Sequence, residues 1–411
     1  MQIIHGDILF TPAKNKMEVY EDSYIVVEDG KVSGIFRQVP EALKSMPVTD
    51  HGRGLIIPAF SDLHVHASQY IQRGMGMDLL LSDWLNTYTF PQEANFASAE
   101  YAQPIYQAFA DSLVLHGTFH ANVFTTIHRA SAGILIREME KRGLTGLVGK
   151  VNMDYASPSY LCETAEESIR ETELFLEEHS KNRLVRPILT PRFVPTCSRE
   201  LMTGLGKLAR KYNTGLHTHV VESIWEAGEA VRLFPDCSCD TEIYEKCGLL
   251  GYGPAIFAHF IFPSPRDIQL AKAYHAVTVH CPEATANVIA GIMPAARLME
   301  DDISIAMGSD IGAAGSPAIY RQIAHAIRLS KLKAFYEPDN NRTLTLTEAF
   351  YMATKAGGSV FGKYGSFENG YDFHAIVIDH LEDEGHPLRP EQRLERFCYT
   401  GDDRNITARY L

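Results

Sequence analysis

The chain has 411 residues, of which 45% are hydrophobic and 22% charged, and its 51 acidic against 38 basic side chains give a formal net charge of −13. This is the composition of a globular protein with a sizeable core, and the acidic balance argues against nucleic acid or an anionic membrane surface as a partner. No signal-peptide pattern opens the chain and no apolar stretch reaches the length of a membrane span, so we expect a cytoplasmic protein.

Seven cysteines, an odd number, are scattered along the chain. This spacing does not fit a disulfide framework in a chain of this length, and we expect the thiols to be reduced. Cys237 and Cys239 form the one close pair in the sequence. Because no matching pair of ligands lies elsewhere, we interpret both as structural residues rather than as a metal site.

The two ends of the chain have the pattern of a small β region. Short alternating apolar runs occupy residues 1–57, and Asp29-Gly30 between two of them is typical of a hairpin turn. A further strand is predicted at residues 375–379. We therefore predict that residues 1–57 and 363–411 meet in one small β-sandwich domain.

From residue 55 the pattern changes to apolar strand-like segments that alternate with amphipathic helical ones. The alternation predicts an α/β fold with a (β/α)₈ TIM-like barrel over residues 58–362. The first connection from strand to helix, residues 67–96, is unusually long, and loops of that length are usually functional. The eight predicted strands are 55–64, 121–127, 145–153, 185–190, 215–219, 255–259, 277–280 and 303–307. Helices predicted between them include 133–142, 165–179, 199–212, 224–233, 264–274 and 318–329.

Histidines and an aspartate stand at the ends of these strands. His64 and His66 end the first strand, His219 the fifth and His259 the sixth, while Asp310 follows the eighth. Side chains at the C-terminal ends of barrel strands converge on one mouth, so residues far apart in sequence can share one ion. The imidazoles of His64, His66 and His219 and the carboxylate of Asp310 form a suitable ligand set for one divalent metal.

Each of these residues alone also has an ordinary structural explanation. Glu222, three residues after His219, is equally consistent with the acidic first turn of a helix, and Asp310 with a cap. We expect His217 to hydrogen-bond behind a ligand rather than to bind metal itself. The joint occurrence in barrel order favours a metal-dependent hydrolase in which Glu222 transfers protons.

Together these residues resemble the metal-dependent amidohydrolase superfamily, in the one-metal branch that includes adenosine, cytosine and guanine deaminases. The resemblance covers nearly the whole chain and departs at Ala59, where the family usually has glycine. It implies one divalent ion, Zn²⁺ with Fe²⁺ as the alternative, and catalytic roles for Glu222, His259 and Asp310. The motifs that carry it are 58–66 (PAFSDLHVH), His219 with Glu222, His259 and 308–310 (GSD).

Further stretches resemble guanine deaminases within that branch, the more specific being 83–91 (DWLNTYTFP) and 191–193 (PRF). By that resemblance Gln69 and Arg192 bind the purine and Phe193 helps to hold the ring. An amide offers both a donor and an acceptor to a ring edge, and a guanidinium fork suits a ring carbonyl. The resemblance implies hydrolysis of guanine to xanthine and ammonia by a metal-activated water, in purine catabolism, by a homodimer.

Three alternatives stay open at this point. Glu283 and the segment 312–315 depart from guanine deaminases, and if Glu283 accepts a ring N–H in the pocket, a pterin or 8-oxoguanine becomes the substrate; a solvent-facing Glu283 is equally consistent. A triazine hydrolase differs only in the shape of its pocket. A catalytically inactive scaffold is expected to lack ligands or the proton-transfer residue, and this chain has them all.

Overall fold

The computed structural model describes residues 1–339 and 341–411. The strands in these residues are, in chain order, β1 (Gln2–Ala13), β2 (Lys16–Glu28), β3 (Lys31–Phe36), β4 (Val48–Pro58), β5 (Phe60–His66), β6 (Thr118–Phe124), β7 (Thr145–Gly149), β8 (Val151–Asn152), β9 (Val185–Pro187), β10 (Thr190–Pro191), β11 (Leu216–Val220), β12 (Ala255–His259), β13 (Val277–His280), β14 (Ser304–Met307), β15 (Ala375–Ile378) and β16 (Ile406–Tyr410).

Most of the helices lie between strands β5 and β14 in the chain. Ser198, Ser223 and Ser264 each cap a helix by accepting a hydrogen bond from the backbone N–H three residues on. The helices are α1 (Leu81–Trp84), α2 (Phe90–Ala94), α3 (Ala99–Leu115), α4 (Arg129–Glu140), α5 (Ala165–Glu178), α6 (Arg199–Tyr212), α7 (Ile224–Leu233), α8 (Asp240–Lys246), α9 (Pro265–Ala273), α10 (Pro282–Asn287), α11 (Ala295–Glu300), α12 (Ile319–Tyr336), α13 (Leu346–Tyr351) and α14 (Pro390–Thr400).

The first four and the last two strands form one mixed sheet, in the order β16-β15-β4-β1-β2-β3. Both ends of the chain therefore meet in one β region, as the sequence predicts. The strand β4 pairs with β1 at one edge and with β15 at the other, so the C-terminal strands are hydrogen-bonded into the same sheet as the N-terminal ones. The β-sandwich itself stays a prediction.

The remaining strands form parallel sheets from an alternating α/β segment. One four-stranded sheet has the order β5-β6-β7-β9, a second has the order β11-β12-β13-β14, and β8 pairs with β10. A parallel bridge between Leu189 and Leu216 connects the two larger sheets at one edge. At the other edge Asp310 donates its N–H to the carbonyl of His64 at 2.8 Å.

Several strand boundaries differ from the predicted ones. The predicted strand 55–64 is two strands, because Leu55–Pro58 pair with β15 and only the residues from Phe60 onward pair with β6. The predicted strands 145–153 and 185–190 are also each divided in two, and the predicted 121–127 begins at Thr118. The strands β12 and β13 have the predicted bounds.

Buried apolar side chains fill the space between the parallel strands and the surrounding helices. All residues of β5, β6, β7, β11 and β12 are buried, which is typical of parallel strands covered on both faces. In the described part of the chain, no helix combines the length and the apolar character needed to cross a bilayer.

Candidate metal centre

The polar residues predicted at strand ends lie together at the C-terminal ends of the parallel strands. His64 and His66 are in the last three residues of β5, His219 is in β11, and His259 ends β12. Asp310 follows β14 by three residues. All five side chains are buried.

The donor atoms of this group are close enough to share an ion. Atoms of His64, His66 and Asp310 all lie within 4.8 Å of one another, as do atoms of His64, His219 and His259. The Nε2 atoms of His64 and His66 are each 3.4 Å from Oδ1 of Asp310. His259 Nε2 is 4.0 Å from Oδ2 of Asp310. His259 thus belongs to the same cluster as the four predicted ligands.

The backbone is strained where it presents two of these side chains. His259 has φ 71° and Asp310 has φ 53°, both in the left-handed region that residues other than glycine rarely adopt. The backbone of the turn before Asp310 also lies close to its neighbours, so that there is no room for a side chain at Gly308. A Cβ there would lie 2.8 Å from Val279 and 2.9 Å from the sulfur of Cys281. The packing around the turn holds Asp310 toward the histidines.

Hydrogen bonds behind the ligands fix the orientation of two rings. His217 Nε2 is 2.9 Å from Nδ1 of His64, which is the supporting role predicted for His217. The carbonyl of Arg192 accepts a bond from Nδ1 of His219 at 2.6 Å. With Nδ1 occupied in both rings, Nε2 of His64 and of His219 is the nitrogen left for a metal.

The electrostatics of these residues fit a divalent cation. Burial lowers the pKa of His64, His66 and His219 well below the usual imidazole value, so the rings are neutral as metal ligands must be. Among the described residues, Nε2 of His64 is buried without a hydrogen-bond partner. Neutral imidazoles with one carboxylate are the donor set that Zn²⁺ and Fe²⁺ accept. The cluster thus has the donor set and the close spacing that a divalent metal requires.

Glu222 stands beside the cluster, between β11 and α7. Its Oε1 is 3.7 Å from Nε2 of His259, and its backbone N–H donates to Oε2 of the buried Glu226 at 2.8 Å. Burial, together with the negative charge of Asp310, raises the pKa of Glu222 to about 8. Burial also raises the pKa of Asp310, to about 6. Near neutral pH, Glu222 is therefore the better proton donor of the two.

Asp62, a carboxylate to which the sequence pattern assigns no role, joins the two halves of the metal cluster. Its Oδ1 accepts from the backbone N–H of Ser309 at 3.0 Å and of His64 at 3.2 Å, and the hydroxyl of Ser309 donates to Oδ2. Asp62 thereby connects β5 to the turn that carries Asp310. Asp62 lies two residues before His64 on the same strand, so both side chains point to the same face. This spacing is the sequence signal that could have identified Asp62.

The predicted substrate-binding residues also face this region. Gln69 and Arg192 are buried, and both contact Glu93 of α2: Gln69 Nε2 is 2.9 Å from Oε1 and Arg192 Nη1 is 2.9 Å from Oε2. The ring of Phe193 is half-buried and its centroid is 6.4 Å from that of His219. Glu93 was not predicted. It lies two residues after the 83–91 motif, and the sequence pattern gives no sign that it turns inward.

Glu283, the remaining predicted substrate contact, has partners within the protein. Oε1 accepts from the backbone N–H of Gly315 at 3.1 Å, and Oε2 accepts from Nε2 of Gln322 at 2.8 Å. The carboxylate is half-buried between α10, α12 and the segment after Asp310. One oxygen of Glu283 thus holds that segment and the other bonds to α12.

Comparisons with known proteins show similarity along the whole chain. The guanine deaminase of Dictyostelium discoideum is 32% identical over 440 aligned positions, covering 100% of this chain and 97% of that protein. The crystal structure of guanine deaminase from C. acetobutylicum, with bound guanine in its active site, superposes with a TM-score of 0.96 at 43% identity, covering 100% of this chain and 98% of that one. The E. coli guanine deaminase structure gives a TM-score of 0.90 at 26% identity, covering 100% and 98%.

A model of a broader protein family matches most of the sequence. Residues 55–410 match the amidohydrolase family, a range that contains every residue of the metal cluster and Glu222. The matched range also contains part of the six-stranded sheet. The chain belongs to the amidohydrolase family.

Proposed function

We propose that this protein hydrolyses guanine to xanthine and ammonia. The observation that carries the proposal is the buried cluster of three neutral imidazoles and one carboxylate with the protonatable Glu222 beside it. The relatives that are similar over the whole chain and carry the name guanine deaminase support guanine as the substrate.

His64, His66, His219 and Asp310 hold the divalent ion, with Zn²⁺ as the proposed metal and Fe²⁺ as the alternative. A bound ion of this kind polarises water and lowers its pKa, so that a nucleophile is available near neutral pH. The four side chains supply the ion's protein ligands, and His217 orients one of them.

The protein's own groups move the protons. Asp310 accepts a proton from the attacking water, and Glu222 delivers one to the ring nitrogen beside the carbon that carries the amine. Glu222 then takes up the hydroxyl proton of the tetrahedral centre as the new C=O bond forms and passes it to the amine, so that the C–N bond breaks and ammonia leaves. The proton held by Asp310 finally returns Glu222 to its protonated form. The raised pKa of Glu222, about 8, suits a donor at neutral pH, because a carboxyl at its usual pKa would be ionised. His259, 3.7 Å from Glu222, orients the water and steadies the tetrahedral centre.

Gln69 and Arg192 bind the polar edge of the purine, and Phe193 packs against the ring. Glu283 could also accept a hydrogen bond from a ring N–H. For this its carboxylate would use a lone pair other than those that accept from Gly315 and Gln322. The pterin and 8-oxoguanine alternatives depend on that role, whereas the similarity of the whole chain to proteins named guanine deaminase favours guanine as the substrate.

The two parallel sheets are proposed to be the halves of one closed (β/α)₈ barrel. The bridge between Leu189 and Leu216 and the bond from Asp310 N–H to His64 support closure at both edges. In this arrangement residues 58–362 form the hydrolase barrel, and residues 1–57 and 363–411 form the second domain. A homodimer and a cytoplasmic location stay predictions from the sequence.

The test is release of ammonia by the metal-loaded protein from guanine, 8-oxoguanine, pterin, adenine and cytosine. We expect ammonia from guanine, with xanthine as the other product. No release from guanine alongside release from pterin would contradict guanine as the substrate and favour the alternative. No release from any of them would contradict the deaminase assignment.

A further inference from the structure

Glu93 is a fully buried carboxylate that has no part in the proposed mechanism. It comes from α2, in the long connection between β5 and α3, and each of its oxygens has its own partner. Oε1 accepts from Nε2 of Gln69 and Oε2 accepts from Nη1 of Arg192, both at 2.9 Å. The two partners are the residues assigned to the purine edge.

The carboxylate determines how the amide of Gln69 is oriented. A carboxylate only accepts hydrogen bonds, so it selects the NH₂ end of the amide. The amide oxygen then points to the backbone N–H of Gly312, which lies 3.2 Å away. One N–H and one oxygen lone pair of Gln69 stay available, so the amide can offer a donor and an acceptor in known positions.

The same carboxylate holds the guanidinium of Arg192. Arg192 is buried, and a buried cation without a partner is costly, so the carboxylate of Glu93 both compensates the charge of Arg192 and holds its side chain in place. The ring of Phe90, one turn before Glu93, lies 5.5 Å from the guanidinium carbon. The carbonyl of Arg192 accepts a hydrogen bond from Nδ1 of His219 at 2.6 Å, so the residue that carries the guanidinium lies next to the proposed metal cluster.

We infer that Glu93 is a positioning residue that sets the specificity for a ring carbonyl and its neighbouring N–H. It acts through Arg192, which meets the carbonyl, and through Gln69, which meets the nitrogen edge. The inference rests on the proposed function, because the ligand class is taken from it. The long connection between β5 and α3 therefore carries the group that orients both recognition side chains.

The chain contains a matched control for a purely structural effect. Glu138 in α4 is also a buried carboxylate that joins a glutamine amide and an arginine: it accepts from Gln103 Nε2 at 2.7 Å and from Arg142 Nη1 at 2.9 Å. It lies on the helical layer, away from the metal cluster. Glu138→Gln removes one charge from the same kind of network without touching the proposed pocket.

The experiment compares the binding of hypoxanthine, which has the ring carbonyl and N–H, with that of purine, which lacks both. Calorimetry on the metal-loaded protein gives the two dissociation constants, and neither ligand carries an amine to lose. We expect the wild type and E138Q to prefer hypoxanthine. In E93Q the preference falls by about 10- to 100-fold, the size expected for a charge-assisted hydrogen bond. Purine binding changes little.

A second variant covers the case in which E93Q fails to fold. The exchange Gln69→Glu with Glu93→Gln keeps the net charge and gives each of the three hydrogen bonds a donor and an acceptor. We expect it to fold and to have lost the preference. An unchanged preference in either variant, or no preference in the wild type, would overturn the role of Glu93. Failure of the proposed function is a separate result: wild-type protein that prefers hypoxanthine but releases no ammonia from guanine.

Discussion

At the scale of single residues, two neighbouring carboxyl groups of the site, those of Glu222 and Asp310, differ in their pKa. Burial raises the pKa of both, to about 8 for Glu222 and about 6 for Asp310, and the charge of Asp310 adds to the shift of Glu222. Two titratable groups held apart in this way divide the work of donor and acceptor. Asp310 also has an oxygen 3.4 Å from the Nε2 atoms of His64 and His66, which places it beside the proposed metal site.

The first prediction concerns Glu222→Gln. Glutamine keeps the shape of the side chain but has no proton to transfer, so we expect kcat to fall about 100-fold or more, as for loss of a general acid. The metal content, measured by atomic absorption, should equal that of the wild type. Glu229→Gln, in the α7 helix that follows Glu222, is the control; Glu229 pairs with Arg232, and its replacement should leave both kcat and metal content unchanged. Substantial turnover in E222Q would remove Glu222 from the mechanism.

The grouping of the proposed metal ligands could be predicted from sequence because spacing and strand order carry that information. His64 and His66 share a strand face, and residues at the C-terminal ends of different strands converge. The contacts of Asp62 and Glu93 could not be predicted in the same way. Asp62 bonds to Ser309, 247 residues away, and Glu93 to Arg192, 99 residues away, so their partners depend on tertiary packing.

At the scale of elements, the turn after β14 depends on a glycine. A Cβ at Gly308 would lie 2.8 Å from Val279 Cγ1, 2.9 Å from the sulfur of Cys281 and 3.1 Å from Cβ of His64. The crowding atoms belong to β13, to the residue that follows it and to a metal ligand. The turn that carries Asp310 therefore has no room for a side chain.

We predict that Gly308→Ala destabilises the fold by about 1–3 kcal/mol, as overpacking does, and weakens metal binding. Thermal unfolding and chelator competition measure the two effects. Gly228→Ala in α7 is the control: no atom lies within 4 Å of its added Cβ, and alanine in a helix should stabilise by about 0.5–1 kcal/mol. If G308A bound metal as tightly as the wild type, the packing explanation of the turn would be wrong.

The terminal sheet contains two histidines whose protonation has opposite effects on stability. Burial alone would lower the pKa of His5, but the carboxylates of Asp50 and Asp22, at 2.6 and 2.9 Å, raise it above its usual value. Burial lowers the pKa of His51, whose Nε2 is 2.6 Å from the hydroxyl of Tyr410. The folded sheet thus favours the protonated form of His5 and the neutral form of His51.

The signs of the pH dependence follow from these directions. The stabilisation by His5 is complete below its unfolded pKa, about 6.5, and is lost as pH rises through the higher folded pKa. The stabilisation by His51 is present above about pH 6.5 and is lost as pH falls through the lower pKa of the folded state. In urea unfolding, His5→Gln should therefore cost most in acid, and His51→Gln most in mildly basic solution. The same pH profile for both variants would contradict the assignment.

At the scale of the whole molecule, the sequence predicted the α/β alternation and the meeting of the two ends, but not how every strand pairs. Residues 55–60 form one apolar run, and its periodicity does not show that Leu55 to Pro58 pair with β15 while Phe60 onward pair with β6. The strands β12 and β13 were predicted with their bounds because turns and helices flank them closely. Periodicity identifies a strand, whereas its neighbour is chosen by packing across the chain.

The central claim is that the whole molecule brings buried side chains from β5, β11, β12 and the turn after β14 around one cation. Anomalous X-ray scattering from crystals of the metal-loaded protein, collected on both sides of the zinc absorption edge, tests it most directly. We predict one peak, within bonding distance of the ligand atoms of His64, His66, His219 and Asp310. A crystal in which these side chains surround no peak, while the protein is active, would contradict the claim.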